Sequence, residues 1–315
     1  CHTTMEPEYV TYQDSPHARV DCVACHVGSG AGAYAKAKLN GVNQLMGVIT
    51  GNFSRPVPTP VHNLRPSRET CEQCHWPEQH VGNLEKTYFR YLSDEDNTPF
   101  TVRMLLHVGG GTDRTTHAGG IHWHTNSDTK IEYVASDDRR QEIPWVRVTK
   151  ADGTVNEYVN PDFEGELDHT ATRTMDCIDC HNRPAHQFMS PNDAVDEALH
   201  LGRIDISLPS VKRKVVELLT GEYATVEEAH ATIAARLQET YGDEPTVKRT
   251  IASSQDIYKA NFFPLMSSSW IAYPDNAGHK DWTGCFRCHD GNHFEVNSQE
   301  QLPANECNAC HTILA

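Results

Sequence analysis

The stretch Met175-Asp-Cys177-Ile-Asp-Cys180-His181 sets two thiols three positions apart, with an imidazole directly after the second. The same spelling occurs at Cys22-Val-Ala-Cys25-His26, Cys71-Glu-Gln-Cys74-His75, Cys285-Phe-Arg-Cys288-His289 and Cys307-Asn-Ala-Cys310-His311. A Cys-x-x-Cys pair alone suits half a zinc ribbon or a dithiol redox site, but neither needs a histidine at the next position. Histidine makes up 19 of 315 residues. Five such hits by chance have a probability of roughly one in a million, so the pattern reads as covalent attachment of c-type haem. In that chemistry the two thiols add across porphyrin vinyl groups and the neighbouring imidazole binds iron from one side. Cys1-His2 reads as the second half of a sixth attachment site. Six haem c groups are expected, five of them from complete motifs.

This reading changes what composition means. Hydrophobic residues reach only 38% and mean hydropathy is −0.58, low for a chain with a large aliphatic core. Porphyrin faces can replace leucine and isoleucine as the surface on which side chains pack. The expected fold is α+β, scaffolded by haem, rich in loops and short helices. The motifs cluster unevenly and predict a three-site region over residues 1–95, a β-rich insertion over 96–165 and a central site over 166–190. A helical segment over 191–265 and a two-site region over 266–315 complete the division.

Within the first gap, Thr101 to His107 is a short apolar run and Lys130 to Ala135 alternates, as a half-buried strand does. Trp145 to Val148 and Thr154 to Val159 flank the turn dipeptide Asp152-Gly153. In the second gap, Pro191-Asn192-Asp193 and Leu208-Pro209 are helix starts. Thr225-Val-Glu-Glu228 is a capping box ahead of a helix that Gly242 closes. Ala31 to Ile49 predicts another helix, with Leu39, Val42, Leu45, Met46 and Ile49 on one face against core or a haem edge.

Thirteen histidines lie outside the motifs and the Cys1-His2 site. An electron-carrying haem usually has two strong axial ligands, so some of these close the irons opposite the proximal His2, His26, His75, His181, His289 and His311. The distal candidates are His17, His62, His122, His124, His186 and His279. His17, His186 and His279 stand near attachment motifs, and His62 follows the proline-rich stretch Pro56 to Pro60. His122-Trp123-His124 puts two imidazoles on one face if the segment is a strand, one as ligand and one behind it. His200 and His230 fall within helical patterns and are expected to face solvent. Met5 is a possible ligand of the first haem.

The net charge of −16 disfavours nucleic acid and anionic lipid as partners and favours positively patched redox proteins. The acidic run Asp94-Glu95-Asp96 reads as a solvated face. Attachment of haem through thioethers occurs outside the cytoplasmic membrane, which predicts a periplasmic or extracellular protein. No signal peptide is visible, and Leu39 to Ile49 is too short to span a bilayer. Membrane contact is expected only through a separate anchor or a partner.

Cys1-His2-Thr-Thr-Met5-Glu-Pro-Glu-Tyr, Ser15-Pro16-His17 ahead of Cys22, and the early pair of sites together resemble the NapC/NirT family of multihaem cytochromes. The resemblance covers roughly the first 80 residues. It implies a relay that draws on membrane quinol and serves partners outside the cytoplasm, with Met5 as an axial ligand of the first haem. The chain is also similar to secreted multihaem cytochromes that polymerise into conductive filaments, which implies copies of itself as partners. A multihaem enzyme with one open iron is the remaining alternative. One such family marks that iron with Cys-x-x-Cys-Lys, a motif missing from this sequence.

Overall fold

The computed structural model describes residues 4–27, 30–59, 66–76, 82–109, 120–125 and 128–314. The chain opens with α1 (Glu6–Gln13), α2 (Cys22–His26), α3 (Ala31–Thr50) and α4 (Ser67–Cys71). Two antiparallel sheets follow. In the first, β1 (Leu84–Tyr91) pairs with β2 (Pro99–Leu106), from Leu84 opposite Leu106 to Tyr91 opposite Pro99.

The second sheet is built on the hairpin read from Asp152-Gly153: β4 (Trp145–Thr149) pairs with β5 (Val155–Val159). Gly153 takes φ +83°, the left-handed turn position that glycine fills without a Cβ clash. β3 (Lys130–Val134) flanks β4, and β6 (Arg173–Thr174) flanks β3. β7 (Phe294–Glu295) closes the other edge against β5. Ile131, Tyr133, Ile143, Val146, Tyr158 and Leu302 form its core. β6 leads into the third motif and β7 follows the fourth, so the two sheet edges carry two attachment segments.

The helical expectation for the second gap holds, with one helix more than the sequence signals marked. α5 (Cys177–Cys180) is the one-turn helix of the third motif, followed by α6 (Pro191–His200), α7 (Val211–Leu219), α8 (Val226–Tyr241) and α9 (Pro245–Asn261). Ser190 caps α6, and Thr225 Oγ1 accepts from the Glu228 amide at 3.1 Å to cap α8. The return arm of that cap differs from the sequence reading, since Glu228 accepts from the Ala224 amide, one residue earlier. Val195, Val211, Val215, Leu219, Ala229 and Ile233 lie fully buried where these helices meet. α10 (Cys307–Cys310) and β8 (His311–Ile313) end the described chain, with β8 adding to β2.

Three expectations are corrected. Of the two expectations for the apolar face of α3, protein core is not met among the described residues: Leu39 is 71% exposed, and Val42, Leu45, Met46 and Ile49 are exposed with it. His122 to His124 do not form a strand but lie in the 3-10 turn Ile121–Thr125. His200 is exposed as expected, but His230 is half-buried. His200 stacks on Phe89 at 3.8 Å, and His230 Nε2 meets the Gln255 carbonyl at 3.1 Å, tying α8 to α9. Among the described residues no helix is long and apolar enough to cross a membrane.

Candidate haem-attachment sites

Each complete motif sits on a tight helical turn or just beyond one. A turn of this kind puts the first and second cysteine on one face and sets the histidine one residue further on. In three motifs the histidine amide donates to the carbonyl of the first cysteine: His75 to Cys71 at 2.8 Å, His181 to Cys177 at 2.8 Å and His289 to Cys285 at 3.0 Å. No disulfide forms among the ten described cysteines. No group of three or more His, Cys, Asp and Glu side chains among the described residues could hold a metal ion, which removes a preformed zinc cluster there.

The decisive geometry is a set of histidine pairs. His17 faces His75 with ring centres 6.1 Å apart, and His26 faces His186 at 6.2 Å. His122 faces His181 at 6.4 Å, His124 faces His289 at 5.7 Å and His279 faces His311 at 6.0 Å. All five motif histidines are therefore matched, each to a different non-motif histidine. An imidazole nitrogen binds a metal at about 2 Å and the ring centre lies about 1 Å behind it, so two rings on one iron have centres about 6 Å apart. The side chains present thus fit an axially ligated haem at each motif. The His124–His289 pair is the tightest, with Nε2 atoms 3.5 Å apart, inside the about 4 Å that one iron between them needs. That contact also suits a direct imidazole hydrogen bond, and the ring spacing is the better guide because it recurs in four other pairs.

Four of the non-motif partners are also oriented from behind. His186 Nδ1 lies 2.8 Å from the Glu8 carbonyl, and His17 Nδ1 lies 3.2 Å from that of Pro184. His122 Nδ1 lies 2.5 Å from the Val108 carbonyl, and His124 Nδ1 lies 2.7 Å from that of Ile121. A proton on Nδ1 satisfies each carbonyl and leaves the Nε2 lone pair free for a metal. Burial favours the same neutral form. It pushes His124, His181 and His186 below the usual imidazole value, and drives His289 down to about 4 with help from the neighbouring His124. Burial raises the Cys71 and Cys180 thiols to about 11 and Cys288 to about 12. They are protonated at neutral pH and unlike activated nucleophiles.

The five other non-motif histidines among the described residues have other work. His200 and His230 pack as described above, and His107 bridges the Ala309 carbonyl and Thr312 Oγ1 at 3.3 Å each. His169 sits edge-on to Trp145, and the buried His293 lies between Asp290 at 2.9 Å and the Ile143 carbonyl at 2.7 Å. The Cys1-His2 site and His62 lie outside the described residues. Met5 is half exposed, just ahead of α1, with its carbonyl accepting from the Tyr9 amide at 2.9 Å.

The motifs follow one another in space in chain order. α2 packs on α4, and α4 on α5. The Cys71 thiol is raised by burial first and then by the charges of Cys177 and Cys25. Cys180 feels Cys285, and Cys310 feels Cys285. The segment Ile121–Thr125 joins two sites. Two residues apart on a 3-10 turn, side chains point about 120° away from each other, so His122 reaches the third motif and His124 the fourth. Sequence reasoning named these five non-motif histidines but not their pairings. It passed over Asp179 and Arg287 inside the motifs, although a charged residue between two tethering cysteines was a visible signal.

No protein-family model matches the chain, and no solved structure is detectably similar. It is 44% identical, over 326 aligned positions, to the cytochrome c-type protein ImcH of Geobacter sulfurreducens. That alignment covers all of this chain and 63% of the relative, so the chain spans less than two thirds of that protein's length. The likeness to a c-type cytochrome agrees with the five attachment motifs.

Proposed function

We propose that this chain is a relay, passing single electrons between redox partners outside the cytoplasm along a row of haem groups held in chain order. The ligand pairs are His26 with His186, His75 with His17, His181 with His122, His289 with His124 and His311 with His279. The cysteines that tether them are Cys22, Cys25, Cys71, Cys74, Cys177, Cys180, Cys285, Cys288, Cys307 and Cys310, with Cys1 and His2 at a sixth site. Bound haem supplies reversible one-electron chemistry at iron. The cysteines would tether each group, and the paired histidines, kept neutral by burial, would hold its iron. Two nitrogen ligands in both oxidation states mean little rearrangement on electron gain, which suits a carrier better than a catalyst.

The observation that supports this reading is the matching of all five complete motifs, each to its own second histidine at 5.7–6.4 Å. Low-temperature EPR of the oxidised protein, with spins and pyridine haemochrome counted per chain, tests it. Low-spin signals from the five complete motifs, with six haems in all, are expected. A high-spin signal that disappears when the Cys1-His2 site is removed would put an open iron there; one that remains would sink the proposed pairs. Filaments in micrographs of the purified protein would replace the relay by a self-assembling conductor.

A further inference from the structure

We infer that Asp179 and Arg287 form a clamp that locks the third and fourth attachment segments into one unit and sets the potentials of both sites together. This rests on the haem reading above and extends it to two residues that touch no iron.

Asp179 lies between Cys177 and Cys180 and is 3% exposed. Its Oδ1 accepts from Tyr133 Oη at 2.6 Å, Arg173 Nε at 2.9 Å and Arg140 Nη1 at 3.3 Å. Its Oδ2 accepts from the Asp176 amide at 2.8 Å, closing a capping box within the motif. Its carbonyl accepts from Arg287 Nη2 at 2.8 Å and Asn276 Nδ2 at 3.2 Å. Arg287 lies between Cys285 and Cys288 and is 7% exposed. It also donates to the Gly284 carbonyl at 2.8 Å and the Arg140 carbonyl at 3.0 Å. The intervening residues of two motifs are thus bonded to each other directly.

Two features show that the arrangement is over-determined. Arg140 holds φ +55°, a left-handed conformation costly for a side chain with a Cβ, and both its guanidinium and its carbonyl serve this cluster. On the ligand side, His122 and His124 come from one short turn, and Trp123 between them packs against the sheet core together with Cys288. The two sites are therefore bridged twice, through their tethers and through their non-motif ligands.

The charge is also set. Arg140, Arg173 and Arg287 surround Asp179, with Asp176 3.8 Å from Arg173, leaving one positive charge in excess. The Arg287 guanidinium bonds three carbonyls and, among the described residues, no carboxylate. A buried positive charge stabilises an added electron nearby, and low dielectric strengthens the effect.

Spectroelectrochemistry on Asp179→Asn and Arg287→Met, with haem counted in each, tests the clamp. At full haem content, two potentials should rise together in Asp179→Asn, fall together in Arg287→Met, and stay near wild type in Arg287→Lys. The others should hold still. Full haem content with unmoved potentials, or both neutralising variants moving the same way, overturns the inference and leaves the haem reading intact. Should Asp179→Asn fail to accumulate, the Arg287→Met and Arg287→Lys pair decides: equal potentials reject the clamp. Wild-type protein without covalent haem would remove the haem reading itself.

Discussion

The helices α6 to α9 and the segments around the first two complete motifs are built on opposite terms. In the helical region the polypeptide makes its own interior, with six aliphatic side chains fully buried and a buried pair of charges, Lys212 and Asp196, 2.6 Å apart. Around the first two motifs it does not. α2 has no buried residue, the described α3 side chains are all at least partly exposed, and Cys22, Cys25 and Cys74 are exposed. The difference shows where the sequence supplies apolar surface and where a porphyrin must.

The strongest way to break this comparison is to withhold haem. A chain with all ten motif cysteines changed to alanine should be cut rapidly by protease around α2 to α4, while a fragment spanning residues 191–261 resists and keeps its helical circular dichroism. Uniform digestion would show that the helical region also leans on haem. A local change comes next. Lys212→Met removes the nearer of two cations beside the buried Asp196 carboxylate, with Arg90 left at 3.5 Å, and should cost about 1–3 kcal/mol in the unfolding of that region. The haem count should not change. An equal loss of haem would mean that the two regions fold as one.

The smallest effect concerns the edge of the helical region, where α6 meets β1 and the segment ahead of the fourth motif. Asp193 on α6 bonds Arg90 on β1 and, at 2.5 Å, Lys280 beside His279. Burial alone would raise its carboxyl, but Lys280 and Arg90 overcome that and hold it below the ordinary value. A depressed carboxyl stabilises the fold above its unfolded value, about 3.9, and that stabilisation disappears as pH falls through the lower folded value. The acid limb of thermal stability should therefore flatten in Asp193→Asn. An unchanged acid limb would show that Asp193 does not tie the helical region to β1 and the fourth-motif segment.

Legibility in the sequence followed the same divide. The attachment motifs, the Asp152-Gly153 hairpin and the Thr225 cap are local chemistry, and local chemistry can be read from neighbours along the chain. β1 was missed because Leu84 to Tyr91 gains its meaning from β2, and β8 because its strand is defined by pairing across most of the chain. His122 and His124 were read as sharing a face because alternation suggests a strand. The 3-10 turn sends them apart, and only the fold determines where each one points. The pairing of histidines was hidden for the same reason, since His17 meets the second complete motif and His186 the first.

That exchange has a consequence in time. His186 lies beyond the third motif, so a chain emerging from its amino end presents Cys22, Cys25 and His26 long before their proposed second ligand exists. On this reading the first complete site matures late, waiting with one open face until more than half the chain has arrived. Protein truncated after His181 should show it as a high-spin iron at that site, and a low-spin one would mean another residue fills in. The order in which cysteines appear is then not the order in which the sites are finished.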